Sequence, residues 1–223
     1  MAVTYLSGQR VQGSSTASST PTYSGWSRTK VTDGTQVTES GGVVTFDITT
    51  RVDNHTVSND LGSNLSDSEW VLRSKLAFSD LTNGGGSTCF LCLGVGSANA
   101  DTEYSNSGLD SDFIGLQLLV VSSGNSWGCA DYIDGDPYLL NPPDPVMDTL
   151  PNTTTTYYVE IKRLSTTSMS IGLYDSADFD SLIMPIETRT IPSACNNLRY
   201  LRVGNATVGS ESSTGNIIEL SLI

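Results

Sequence analysis

Val44, Phe46 and Ile48 alternate with Thr45 and Asp47, and the same two-residue period returns where Tyr157, Val159 and Ile161 alternate with Glu160 and Lys162. Such alternation puts apolar side chains on one face of an extended chain and polar ones on the other, as a half-buried strand requires. No stretch carries a convincing 3.6-residue period, and no extended crossover helix separates the strands. A helical bundle and a helix-linked parallel sheet are both disfavoured.

Further strands follow from the same reading. In residues 69–78, Trp70, Leu72, Leu76 and Phe78 share one face and Arg73 and Lys75 the other, so the first face packs inward and Trp70 belongs to the core. Residues 89–95 form a strand after the flexible Gly84-Gly85-Gly86 connection, and a long loop over 97–112 leads into 113–121, whose apolar run suits a strand in the middle of a sheet. A short strand over 127–133 precedes an acidic, Pro-rich surface loop over 134–151. Residues 157–161 and 169–173 flank the turn Leu164-Ser-Thr-Thr-Ser168 as a hairpin, and 182–187, 198–203 and 217–223 supply three short strands. About ten or eleven strands spaced in this way specify an all-β, antiparallel β-sandwich or jelly roll. With no short internal repeat, a propeller or solenoid is disfavoured.

Of the 223 residues, 11 are Lys or Arg and 24 Asp or Glu, a formal charge of −13 that excludes a nucleic-acid groove. Residues 1–25 are small and polar and read as an arm or linker, leaving 26–223 as one sandwich domain. No basic and apolar leader is visible at the start, and no apolar run approaches the ~20 residues of a membrane-spanning helix, so no membrane insertion is expected. Ser and Thr supply about a quarter of the residues, a surface-exposed or extracellular profile that suits a secreted, cell-surface or virion protein. Four sequons, at Asn54, Asn64, Asn152 and Asn205, could carry glycans in a eukaryotic secretory route. The cysteines, Cys89, Cys92, Cys129 and Cys195, suit buried thiols or one disulfide better than zinc, because Cys89 and Cys92 sit in one strand and point to opposite faces.

The segments Trp70-Val-Leu-Arg-Ser-Lys-Leu-Ala-Phe-Ser-Asp-Leu, Asp112-Phe-Ile-Gly-Leu-Gln-Leu, the hairpin from Tyr157 through Leu173-Tyr-Asp and the closing Gly215-Asn-Ile-Ile-Glu-Leu-Ser-Leu together resemble the concanavalin A-like lectin/glucanase jelly roll in its laminin-G-like form. The resemblance spans about residues 26–223 and rests on strand order and pattern, so it bears on fold rather than activity. The opening Tyr5-Leu-Ser-Gly-Gln-Arg-Val-Gln-Gly-Ser-Ser also looks like the lead-in to such domains in structural proteins of marine viruses and archaea.

Glucanases of this fold set three carboxylates on one strand as Glu-x-Asp-x-Glu, and that pattern is absent; the seven glutamates are scattered singly. His55, the one histidine, stands in a polar stretch and reads as a solvated loop residue rather than a member of a triad. Neither a phosphate loop nor a dinucleotide fingerprint occurs. No catalytic set is expected, and the chain reads as a non-enzyme.

Calcium is the metal these turns suit, because a hard cation takes carboxylate and carbonyl oxygens held on turns; Asp131, Asp134 and Asp136 form the sharpest such group. Asp and Gly are also ordinary turn residues, so the same group also reads as loop caps and surface solvation. A sugar needs an aromatic platform beside polar groups, and Trp127, Tyr132 and Tyr138 lie near that acidic loop, although Trp127 also suits a role in closing the core. Lectins of this fold bind through loops at one end or through the concave sheet, so the resemblance implies calcium and sugar together. The expected function is glycan binding by a lectin-like surface or virion module. The alternative is a purely structural capsid, decoration or fibre subunit that forms homo-oligomers or docks on partner subunits through its arm.

Overall fold

The computed structural model describes residues 5–6, 9–10, 26–30, 37–40, 43–48, 55–82, 88–98, 111–121, 124–132, 152–207 and 212–223. They form β1 (Tyr5–Leu6), β2 (Gln9–Arg10), β3 (Trp26–Lys30), β4 (Val37–Ser40), β5 (Val43–Ile48), β6 (His55–Asp60), β7 (Trp70–Thr82) and β8 (Thr88–Gly96), followed by β9 (Phe113–Val121), β10 (Gly124–Tyr132), β11 (Thr156–Ser165), β12 (Ser168–Tyr174), β13 (Glu187–Thr190), β14 (Tyr200–Thr207) and β15 (Ser212–Leu222). Every strand pairing is antiparallel. A six-stranded sheet runs β10-β9-β8-β14-β6-β3 and a seven-stranded sheet β13-β12-β11-β7-β15-β5-β4. The last two strands in the chain are each inserted between earlier ones, β14 between β6 and β8 and β15 between β5 and β7. β1 and β2 pair with each other as a separate two-stranded ribbon. No helix among the described residues is long and apolar enough to cross a membrane.

Alternation along the strands builds one core between the two sheets. Phe46, Leu72, Leu76, Val159, Ile161 and Ile217 from the seven-stranded sheet form one buried cluster with Val57, Leu93, Val95, Ile114, Leu201 and Val203 from the six-stranded sheet. Phe78 lies edge-on between Phe46 and Tyr157, with ring centroids at 5.7 and 6.1 Å. The Tyr157 hydroxyl reaches out of this cluster to accept a hydrogen bond from the Asn152 amide at 2.9 Å. Trp70, Leu72, Leu76 and Phe78 are buried on one side of β7, as its period predicts, while Arg73 and Lys75 on the other side are part-exposed.

Among the described residues two arginines are buried, Arg163 and Arg202, and the first lies on the core side. Arg163, on the core side of β11, is 1% exposed, and its guanidinium donates to the carbonyls of Ser165, Thr166 and Cys195 at 3.2, 3.2 and 2.8 Å. It thereby ties the turn of the β11–β12 hairpin to the segment before β14, giving the buried Cys195 carbonyl a donor. Cys92 and Cys195 are both buried. The Cys195 thiol points at the Phe113 carbonyl oxygen at 3.8 Å. On the outer side of the six-stranded sheet, the Phe113 ring lies against Gly94 and Gly115, which face each other across β8 and β9; a Cβ on either would strike the neighbouring strand's carbonyl oxygen.

Three sequence expectations are corrected. His55 is not a loop residue: it opens β6, opposite Lys30 and Asn205. The segment HTVSND carries one strongly apolar residue, Val57, so pairing on both edges holds it in the sheet rather than its own pattern. The strand expected over 182–187 lies later, at β13; Leu182 makes a single bridge to Tyr174, and Pro185, which has no N–H to give a ladder, stands between the two. The described strands also exceed the expected ten or eleven, because β1–β4 and β6 are short and polar. The loop expected over 134–151 lies outside the described residues.

Candidate functional site

The solvent-facing side of the seven-stranded sheet carries the most chemically diverse described surface. On β7 and β11 the outward positions pair as Lys75 with Tyr158 and Arg73 with Glu160. On the far side of β11, Tyr158 faces Tyr174 and Glu160 faces Gly172 of β12. Gly172 has a steric reason: a Cβ there would stand 2.7 Å from Tyr174 Cε2, so the tyrosine ring lies down across the glycine. That posture carries its hydroxyl to Glu160 Oε1, 3.3 Å away.

Glu160 is the hub. Arg73 Nε and Nη2 donate to Oε2 at 2.8 and 2.6 Å, and Lys162 Nζ lies 2.6 Å from Oε1. The carboxylate is only 3% exposed although its strand position faces outward, whereas the Arg73 and Lys162 side chains are 18% and 19% exposed. Both carboxylate oxygens are engaged by donors, which suits a structural anchor rather than proton transfer to a bound substrate.

Packed against the partners of Glu160 is the reversal after β12. Asp175 N donates to Ser181 O at 3.1 Å, Phe179 N to Ser176 O at 3.2 Å and the Ser176 hydroxyl to Asp180 Oδ1 at 2.5 Å, closing residues 175–181 into a strap. At its apex Phe179 has φ 57°, a left-handed conformation uncommon for a bulky residue and costing of order 1 kcal/mol. The outcome is a fixed ring: Phe179 is edge-on to Tyr174 at 5.4 Å and to Tyr158 at 6.1 Å, with the Arg73 guanidinium 4.5 Å from its centroid. Lys75 Nζ stands 5.9 Å from the Tyr158 ring centre. Part-exposed aromatic rings beside fixed nitrogen donors form a surface on which a ligand with one apolar face and a rim of hydroxyls can stack and be hydrogen-bonded.

Of the residues singled out from sequence, the three that are described lie on the other sheet. Trp127, Asp131 and Tyr132 are placed on β10, an edge strand, opposite Leu118, Ile114 and Phe113 of β9 in an unbroken register. Trp127 and Tyr132 are five residues apart and so stand at positions of opposite parity. Tyr138, Asp134 and Asp136 lie outside the described residues. Among the described residues no group of three or more His, Cys, Asp or Glu side chains comes together as a metal site. Sequence reading missed the Glu160 cluster. Its one visible signal was the outward Arg73/Lys75 and Glu160/Lys162 pairs on two strands, and only the β7–β11 register joins them.

No family model matches the chain, and no curated protein matches it in sequence. Solved structures do match. A legume lectin-like domain from Entamoeba histolytica aligns with 89% of this chain and 88% of its own at a TM-score of 0.55 and 15% identity. The fold is that of a legume-lectin-like β-sandwich. The carbohydrate recognition domain of Emp47p also matches at 0.55 and 11% identity, covering 89% of this chain and 87% of that one. So does the exoplasmic/lumenal domain of VIP36 in its Ca2+/Man-bound form, at 0.55 and 11% identity over 89% and 82%. The concanavalin A-like, antiparallel sandwich expected from the strand pattern is the fold observed. At these identities the likeness concerns architecture, and chemistry must be argued from this chain's own residues.

Proposed function

We propose that this chain is a non-enzymatic, lectin-like module that binds glycans outside the cytosol, displayed on a cell or a virion. The observation that carries the reading is the match along nearly the whole chain to sandwiches described as lectin or carbohydrate recognition domains, VIP36 among them with mannose and with Man3GlcNAc. The proposed binding surface is β10 with the segment after it: Trp127 and Tyr138 stack on the sugar, Tyr132 stands at the opposite parity of the strand and borders the site from its end, and Asp131, Asp134 and Asp136 hold calcium. Calcium there would order the loop and offer its remaining coordination positions to sugar hydroxyls.

The test is a glycan array that includes mannose-bearing chains, read in calcium and in chelator. Binding that is weakened both in chelator and by Trp127→Ala is the expected result. Absence of binding to any glycan overturns the lectin reading, and binding indifferent to Trp127→Ala and to chelator overturns the β10 assignment.

One observation favours a second reading, a structural subunit that assembles through residues 1–25. Among the described strands, β1 and β2 pair only with each other and leave both outer edges for a neighbour. Sedimentation of the full chain and of a chain lacking residues 1–25 tests it, and a monomer in both cases overturns it.

A further inference from the structure

We propose a second sugar-contact surface, independent of calcium, on the outer side of the seven-stranded sheet: a platform of Phe179 and Tyr158 flanked by Lys75 and Arg73 that takes a neutral oligosaccharide. This deepens the glycan-binding reading and rests on it.

The argument starts from Phe179. The strap over residues 175–181 could pack on Arg73 and Tyr174 with any apolar side chain in a relaxed backbone, yet it sets a phenylalanine at φ 57°. An outlier held in place by three hydrogen bonds and by two ring contacts is the kind of position that function retains. The result is a pair of rings, Phe179 and Tyr158, part-exposed and fixed edge-to-face on the outward side of the sheet, which also presents the exposed polar residues Thr45 and Asp47 on β5 and Asn216 on β15. Leu182, at the end of the strap, adds an apolar side chain 46% exposed. Beneath the rings the saturated Glu160 hub holds Arg73 rigid, so a bound hydroxyl would meet a donor that loses little freedom on binding.

Charge selects the ligand class. Arg73 and Lys162 already face the Glu160 carboxylate, and Asp175, Asp178 and Asp180 stand exposed on the strap. An anionic sugar would meet those three carboxylates, on a chain of formal charge −13. A neutral hexose chain meets no such penalty: the C–H face of one sugar unit stacks on the Phe179 ring and the next unit meets Tyr158, whose plane stands 79° away, while hydroxyls pair with Lys75, Arg73 and the strap carboxylates.

The experiment uses the full chain and neutral manno-, gluco- and galacto-configured tri- to hexasaccharides, titrated by calorimetry in chelator, at low and high salt. The variants are Phe179→Leu, which keeps an apolar side chain there but removes the ring, Phe179→Tyr, which keeps the ring, and Trp127→Ala; thermal unfolding of each reports folding separately. The expected result is binding that persists in chelator, changes little with salt, falls about five- to tenfold in Phe179→Leu and survives in Phe179→Tyr and Trp127→Ala. Chelator-resistant binding that Phe179→Leu leaves intact overturns the platform, as does binding abolished by chelator, while both leave glycan binding standing. Absence of binding to every sugar in calcium as well overturns both readings together.

Discussion

Arg73 meets a single oxygen of Glu160 through two of its nitrogens, at 2.8 and 2.6 Å, on the outward side of a sheet where a carboxylate would ordinarily be hydrated. The pair is half wet, since the arginine keeps 18% of its side-chain exposure and the glutamate only 3%. Glu160→Gln should therefore destabilise the fold by about 1–3 kcal/mol, because the cations can rehydrate but the buried carboxylate's place cannot. Chemical denaturation with an unchanged slope checks it; a change below ~0.5 kcal/mol would show that the hub is dispensable.

Arg163 should be the costlier ionic loss. Its side chain has no exposure, and Asp67, 3.9 Å away, is 53% exposed. Arg163→Ala removes donors from three carbonyls and should cost about 3–5 kcal/mol, with Arg163→Met milder because it refills the volume. Equal losses in the two variants would place the effect in the orphaned carbonyls rather than in packing.

Gly115→Ala should be poorly tolerated. Its Cβ would strike the Leu93 carbonyl oxygen and stand 2.7 Å from the Phe113 ring, so β8 and β9 would have to separate. A loss of about 1–3 kcal/mol or more is expected, against a few tenths for Gly62→Asn, where Gly62 has φ 82° and open space around it. Melting temperatures of the two variants make the comparison.

Asp60 and Arg199 form an acid-sensitive pair at the end of β6 and just ahead of β14. Asp60 accepts from Arg199 at 2.7 and 2.8 Å and from the Gly62 amide at 2.8 Å, and these bonds hold its carboxyl below the ordinary value of 3.8. A depressed carboxyl stabilises the fold above its unfolded-state value, and that contribution disappears as pH falls through the folded one. Stability measured from pH 5 downward should drop less steeply in Asp60→Asn than in the wild type. Coincident slopes would show the latch to be inert.

The period-two reading recovered the strands whose own residues alternate or run apolar: β5, β7, β9 and the β11–β12 hairpin lie close to where the pattern put them. It failed where pairing decides. β6 has one strongly apolar side chain and is held by neighbours on both edges, and β13 pairs with β12 after a strap whose course depends on Phe179 adopting a left-handed turn. The same limit governs the site. Trp127 and Tyr132 are near in sequence yet stand at opposite parities of β10, whereas Arg73 and Glu160 are 87 positions apart and touch. Proximity along a strand is a poor guide to a shared face, and strand register, which brings distant residues together, leaves little local mark.

The insertion of β14 and β15 between strands made much earlier has a consequence for biosynthesis. While a ribosome is producing the middle of the chain, β5, β6, β7 and β8 have emerged without the partners that will separate them, and their ladder groups stay bare. The six-stranded layer cannot close until β14 has cleared the exit tunnel, nor the seven-stranded layer until β15 has. Nascent molecules on one polysome thus present matching, unsatisfied edges to one another, which favours slow maturation and a demand for chaperone shielding over rapid folding during translation.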